Sequence, residues 1–332
     1  MLNYIQFGLG PIGEKIVSYA IDRENLCLVG AIDIDKSKVD QDVGQLIGTR
    51  PLGIRVSSDV DDVLKNAEAD IVLLSTVSSL AALEEQILRC IRYGKNVVSS
   101  SEELAFPWIE NRKIAETIDK EARKHRVTVI GTGVNPGFVM DALPIFLTSA
   151  CQKVHSIRIE RYQDASIRRR PFQEKIGAGL SLKEFMEKVS TQSIRHVGFT
   201  ESIQMIAYSM GWELDRTEDI VEPVVADNDV ASHFIKVKKG EVVGICQTGR
   251  GFINGNTVIT LELQAYLGHT APKDAVIIEG EPSMQFEVKG GVNGDIATCA
   301  MVVNAMPKVL QASPGLKTMP EIGLVSWFKG YR

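Results

Sequence analysis

Three stretches of the chain combine residue types that can do chemistry. The first is Gly8-Leu9-Gly10-Pro11-Ile12-Gly13, a GxGxxG that directly follows the apolar run Tyr4 to Phe7. In such a turn Gly8 permits the tight reversal, Gly10 lets backbone approach a pyrophosphate, and Gly13 lets the following helix sit close to the strand. Pro11 suits an opening helical turn, where its missing N–H would be an orphan anyway. Ile12 belongs to the same turn, whose N–H groups and dipole favour phosphate. The second stretch is Ser99-Ser100-Ser101-Glu102-Glu103-Leu104, two adjacent carboxylates behind three hydroxyls. The third is Asn135-Pro136-Gly137-Phe138, an amide and a ring on a turn.

The elements that must position these groups read as alternating buried strand and amphipathic helix from residue 1 to about 134, with strands at 3–8, 26–33, 70–76, 96–100 and 127–131. That order implies right-handed βαβ units on a doubly wound parallel sheet of Rossmann type. The second strand ends at Asp33, twenty positions beyond Gly13, where an acid can accept both ribose hydroxyls of an adenosine. The ends of the third strand, Ser75 and Thr76, and the backbone at Asn135 and Pro136 are expected to line the same cofactor. Asp33 argues for NAD; Lys36, Ser37 and Lys38 beside it are able to hold the 2′-phosphate of NADP, so both stay open. The stretch from Val39 to Asp59 reads as a surface excursion beside the adenosine.

After the turn-rich 131–137 segment the period changes. Helices at about 138–150, 181–191 and 197–211, a strand at 154–162 and strand-rich sequence from 215 to 290 suggest an α+β domain on a mostly antiparallel sheet. One expected strand runs from His233 to Val237. A last helix near 296–312 contains Pro307, which should kink it. The expected organisation is a dinucleotide domain of residues 1–134 and 295–332, and a substrate-binding and dimerisation domain of residues 135–294. The site is expected in the cleft between them, outside the carboxyl ends of the parallel strands.

The loop after the fourth strand can face a nicotinamide. A lysine there, as in sugar oxidoreductases resembling glucose-fructose oxidoreductase and in homoserine dehydrogenases, suits proton donation to a carbonyl; here two glutamates stand instead. A carboxylate suits an amine, which must lose its ammonium proton before releasing hydride and whose iminium must then be attacked by activated water. Glu102, nearer the strand end, is the candidate acid/base, and Glu103 the acid that complements a helix dipole. The alternative is that both merely decorate a first helical turn, with the serines as caps. Asn135 and Phe138 are candidate substrate contacts. Along 158–164, residues 161 and 163 share a face opposite 162 and 164, and Arg161 is the first choice to clamp a substrate carboxylate. His196 is a candidate cleft residue, and Asn304 is placed to reach either the cofactor or a local backbone group.

Composition narrows the rest. The chain has 332 residues, 44% hydrophobic and 24% charged, with a formal net charge of −5. That gives no general attraction to nucleic acid or anionic membrane. The short Arg168-Arg169-Arg170 run is either a solvated loop or an anion contact. Five scattered cysteines without CxxC read as free thiols in a reducing cytosol. No signal peptide, apolar span or Cys/His metal cluster is visible, so a cytoplasmic protein without a metal or membrane partner is expected.

FGLGPIG at the start, DVGQLIG at 42–48, SSSEELAFP at 99–107, GTGVNPGF at 131–138 and GDIATCAMVVNAMP at 294–307 together resemble 2,4-diaminopentanoate dehydrogenases and the related native NAD(P)-dependent amine dehydrogenases. The resemblance spans nearly the whole chain. It implies oxidative deamination of a primary amine or diamino acid to a ketone and ammonia, with Glu102 as the acid/base, NAD or NADP as cofactor, and a homodimer. That family shares its N-terminal fold with dihydrodipicolinate reductase, whose paired histidines are replaced here by Arg161-Tyr162-Gln163-Asp164. An imine or carbonyl reductase is therefore the alternative activity, and a non-catalytic NAD(P)-binding regulator the alternative from another class.

Overall fold

The computed structural model describes residues 1–331. The chain divides into two units, Met1–Phe138 together with the chain from Gly294 onward, and Val139–Asn293. The sequence places the division at residue 134; in the fold the 135–138 turn stays with the first unit because it folds back on its own strand end. Gly137, with φ +124°, lies so close that a Cβ there would be 2.4 Å from the Gly133 nitrogen.

The first unit is built on a seven-stranded parallel sheet ordered Gly315–Lys317, Thr128–Gly131, Asn96–Ser99, Ile71–Leu74, Leu2–Phe7, Leu26–Ile32, Val56–Ser57. Chain order reverses between Leu2–Phe7 and Ile71–Leu74, which creates a crevice at their carboxyl ends. The strands read as unbroken apolar runs because both faces are covered. On one face lie Leu80–Arg92 and Arg112–His125, whose Leu83, Ile87, Ile118 and Ala122 join Ile5, Phe7, Val72, Leu74 and Val97 in a core. The helix Gly294–Gln311 packs beside Pro11–Ala20, continues through Pro307 to Gln311, and is followed by the strand that extends the sheet.

The 39–59 excursion is organised by one carboxylate. Asp42 accepts N–H donors from Gly44, Gln45, Leu52 and Gly53 at 2.8–3.3 Å. The Leu52 N–H, with those of Gly53, Gln45 and Gly44, holds its carboxyl below the usual range.

The second unit carries a six-stranded sheet ordered Met284–Lys289, Lys273–Glu281, Lys153–Asp164, Asn256–Tyr266, Val242–Ile253, Arg216–Val225. All pairs are antiparallel except Lys153–Asp164 with Asn256–Tyr266. Phe199–Met210 and Ala142–Thr148 pack on it. The strand expected at His233 to Val237 is absent: the Ser232 hydroxyl takes the N–H groups of Phe234 and Ile235, and only Lys236–Val237 pairs, with Val230–Ala231. Among the described residues no helix is long and apolar enough to cross a membrane.

Candidate active site

The glycine turn is shaped by the fold itself at two of its three glycines. At Gly8, φ is +91° and a Cβ would lie 2.6 Å from the Ser75 carbonyl oxygen; at Gly13 it would lie 1.9 Å from the Gly8 carbonyl oxygen. Gly10 differs, because a Cβ there would meet nothing within 4 Å. Its smallness therefore serves no internal packing, and what it leaves is a cradle at the start of Pro11–Ala20, where Gly10 is the N-cap and Pro11 opens the first turn. Open backbone at a helix N-terminus fits a pyrophosphate. Beneath the turn, the Gln6 amide donates to the Gly8 carbonyl and the Ser75 hydroxyl at 2.8 Å each, and the Ser75 hydroxyl donates to Gly8 O at 3.0 Å. Ser75 thus braces the turn, while the exposed Thr76 bonds to Gln86.

Asp33 is half-buried at the end of Leu26–Ile32 and accepts the Leu9 N–H at 2.6 Å and the Asp35 N–H at 2.9 Å. It is thereby tied to the glycine turn at the carboxyl end of its strand. Lys36 is exposed beside it.

The strand ends Leu74, Ser99 and Gly131 are neighbours across the sheet, so the segments that follow them adjoin. Ser100 N–H donates to Leu74 O, and Thr132 N–H to Ser99 O. Gly131 permits the next crossing: a Cβ there would lie 2.6 Å from the Ala105 nitrogen, so the 102–105 backbone passes directly over it. The segment after Ser99 is a series of turns, and the next helix starts only at Arg112. The acids therefore do not occupy a first helical turn.

Their roles separate. Glu103 Oε2 accepts the N–H of Leu80 at 2.7 Å, capping Leu80–Arg92, twenty-three residues upstream of it. The Ser101 hydroxyl donates to Ser78 O at 2.6 Å and clamps the loop to that same helix entrance. Glu102 is half-buried, and its carboxylate has no hydrogen bond or ion pair among the described residues. Of two adjacent carboxylates, one is structural and the other is available for proton transfer.

Asn135 and Pro136 are buried and joined by a cis peptide; Phe138 is half-buried. The Val134 N–H donates to the Thr298 hydroxyl at 3.2 Å, which anchors this turn to Gly294–Gln311. Thr132 Oγ1 is buried with no hydrogen-bond partner among the described residues, an unmet polar group at the carboxyl edge of the sheet that a polar ligand can satisfy. Asn304 is remote from this edge. It accepts from Arg23, which stacks on Trp327 and Phe328 with its guanidinium carbon 4.8 and 5.1 Å from the ring centroids.

In the second unit, Arg161 is neither a solvated strand residue nor an open clamp. It is 1% exposed; one guanidinium nitrogen bonds both oxygens of Asp274 at 3.2 and 3.1 Å, and the other bonds Val292 O at 3.0 Å. Burial pushes the Asp274 carboxyl up and the Arg161 guanidinium down. The pair stays ionic because arginine does not lose its proton in a protein. Strand parity is as expected, with Tyr162 on the opposite face bonded to Glu262.

His196 is held by backbone through Gln247, which accepts from His196 N–H at 2.7 Å, donates to His196 O at 3.0 Å, and bonds Asp219. Nδ1 lies 2.6 Å from Val197 O, so it carries the proton of the neutral ring. Though part of its surface is accessible, the ring is enclosed by protein, and desolvation, then the positive charges of Lys175, Arg161 and Arg168, push it down to about 3. The folded state therefore binds fewer protons than the unfolded state between about pH 6.5 and pH 3, and this histidine removes stability as pH falls through that window. Unfolding free energies from urea titrations between pH 7 and pH 4 should fall less steeply in His196→Gln, by up to about 1.4 kcal/mol per pH unit. Parallel curves for the two proteins would mean that the ring takes up its proton alike in the folded and unfolded states.

Arg168, a residue that the sequence left between loop and ligand contact, is drawn inward. Its guanidinium lies 4.0 Å from the Phe172 ring centroid and bonds Gln163 at 2.6 Å.

Comparison with known proteins bears on all these segments. The profile of the 2,4-diaminopentanoate dehydrogenase C-terminal domain matches residues 138–330, and that of the dihydrodipicolinate reductase N-terminus matches residues 5–105. A 2,4-diaminopentanoate dehydrogenase of Acetoanaerobium sticklandii is 33% identical, over 97% of this chain and 93% of the relative. An amine dehydrogenase of Streptomyces virginiae is 22% identical, over 98% of this chain and 97% of its own. The structure of an amine dehydrogenase from Mycobacterium smegmatis superposes with a TM-score of 0.88 at 23% identity, covering 99% of this chain and 98% of that one.

Proposed function

The chain belongs to the 2,4-diaminopentanoate dehydrogenase family, and we propose from that premise that it catalyses NAD(P)-dependent oxidative deamination of a diamino acid or primary amine to the ketone and ammonia, reversible as reductive amination. The observation that carries the chemistry is the separation of Glu103, spent on a helix cap, from Glu102, whose carboxylate is unengaged at the carboxyl edge of the sheet.

A nicotinamide nucleotide supplies the hydride acceptor. Gly10, Pro11, Ile12 and Gly13 would receive its pyrophosphate, Asp33 its adenosine ribose, and Ser75, Thr76, Asn135 and Pro136 line its path along the sheet edge. Glu102 takes the proton from the substrate ammonium, because only a free amine has the lone pair that stabilises the oxidised carbon. Once that proton has passed to solvent, the same carboxylate takes a proton from the water that adds to the oxidised carbon and returns it to the nitrogen, so that the C–N bond breaks and ammonia leaves. Asn135 and Phe138 orient the substrate. Arg161, engaged with Asp274, offers no free fork to a substrate carboxylate.

A homodimer in the cytoplasm is the expected state. In support, the edge strand Met284–Lys289 leaves Phe286 45% and Val288 42% exposed, and five free cysteines suit a reducing compartment. The deciding experiment is a panel of 2,4-diamino acids and alkylamines with NAD and NADP, followed by absorbance of the reduced nucleotide. Turnover is expected with a diamino acid, and the reverse reaction should require ammonia. Ammonia-independent reduction would transfer the chain to the imine reductases, and nucleotide binding without any turnover would leave a regulator.

A further inference from the structure

We propose that the ion pair between Lys38 and Glu14 is a selectivity lock that makes this site take NAD in preference to NADP; the proposal rests on the dinucleotide reading of the glycine turn and not on the amine chemistry. In the sequence, Lys36, Ser37 and Lys38 all stand beside Asp33 as possible partners for a 2′-phosphate. The fold withdraws two of the three. Lys38 Nζ lies 2.7 Å from Glu14 Oε1 and also donates to the Leu9 carbonyl oxygen, leaving the side chain 20% exposed. The Ser37 hydroxyl donates to Asp35 at 2.6 Å. Lys36 alone points to solvent, on a long flexible stem where a single charge is screened and mobile.

The carboxylate they flank cannot turn aside. Asp33 holds Leu9 N–H on one oxygen and Asp35 N–H on the other, so rotating it away would strip both donors and release the glycine turn. A pinned carboxylate can still accept from two ribose hydroxyls through its remaining lone pairs. Against a 2′-phosphate carrying roughly −1.5 to −2 charges it is repulsive. Lys38 would offset that repulsion were it not committed to Glu14, the acid in the first turn of the phosphate-facing helix. Its present task is to neutralise that acid, which would otherwise oppose the pyrophosphate.

Dissociation constants of NAD and NADP for the full-length protein, measured by titration calorimetry without any amine, test this. Wild type is expected to bind NAD about 100-fold more tightly than NADP, the scale of one uncompensated like-charge contact. In Glu14→Gln the freed Lys38 should narrow that ratio by about tenfold, and adding Lys38→Met should widen it again. Glu14→Ser gives the same readout should the glutamine variant not fold. A wild-type ratio within about threefold, a preference for NADP, or an unchanged ratio in a folded Glu14 variant would each overturn the proposal. Failure of both nucleotides to bind would instead remove the dinucleotide reading beneath it, whereas absence of amine turnover with the expected ratio would leave the lock standing.

Discussion

Glu102→Gln is expected to lower turnover in the deamination direction by about two to four orders of magnitude, the range of a lost general acid/base, while nucleotide affinity and melting temperature stay at wild-type values. The substitution keeps volume and shape and removes only the capacity to hold a proton. Since the Glu102 carboxylate engages no described residue, no bond that supports the loop is lost; the loop is held by Ser101 on Ser78, by Glu103 on Leu80 and by the 102–105 backbone over Gly131. Its neighbour provides the control. Glu103→Ala removes a cap from Leu80–Arg92 and should cost about 1 kcal/mol of stability with a far smaller loss of turnover per folded molecule. Steady-state rates with saturating nucleotide, beside thermal melts of both variants, separate the two. Wild-type turnover in Glu102→Gln, or an equal kinetic loss in both variants, would remove Glu102 from the mechanism.

The two adjacent acids also show what a sequence conceals. Strand, turn and acid in the first unit were legible because each depends on near neighbours: apolar runs for buried strands, glycines for a turn, Asp33 at a strand end. What Glu103 does depends on Leu80, twenty-three residues away, brought close only when the sheet orders its strands. The same holds for Lys38, whose partner Glu14 lies on another element, and for Arg161, whose partner Asp274 is 113 positions on. Alternation along 158–164 correctly separates Arg161 from Tyr162, yet parity says nothing about which face the core will take. The 233–237 strand is lost for a local reason, a serine hydroxyl competing for backbone donors, which is how serine interrupts regular structure generally.

Gly13→Ala and Gly10→Ala should part company, although both alter one motif by one methyl group. At Gly13 the new Cβ would lie 1.9 Å from the Gly8 carbonyl oxygen, a backbone atom that no rotamer change can move. Relief requires the helix Pro11–Ala20 to shift away from the first strand, breaking the Leu9–Asp33 and Gly8–Ser75 bonds that shape the turn. The cost should be about 3 kcal/mol or more, at the upper end of overpacking, and a fall of roughly 6–12 °C in melting temperature, with nucleotide binding lost alongside. At Gly10 the methyl meets nothing within 4 Å, so the protein without nucleotide should melt as wild type does. Only a ligand whose phosphates press on that backbone would feel it, and NAD affinity should drop by about tenfold or more. Melts without nucleotide and calorimetric titrations of both variants decide the matter: a Gly10→Ala protein that binds NAD as wild type does would mean that the pyrophosphate lies elsewhere, and a Gly13→Ala protein of wild-type stability would mean that the strand and helix are not packed as closely as the turn requires.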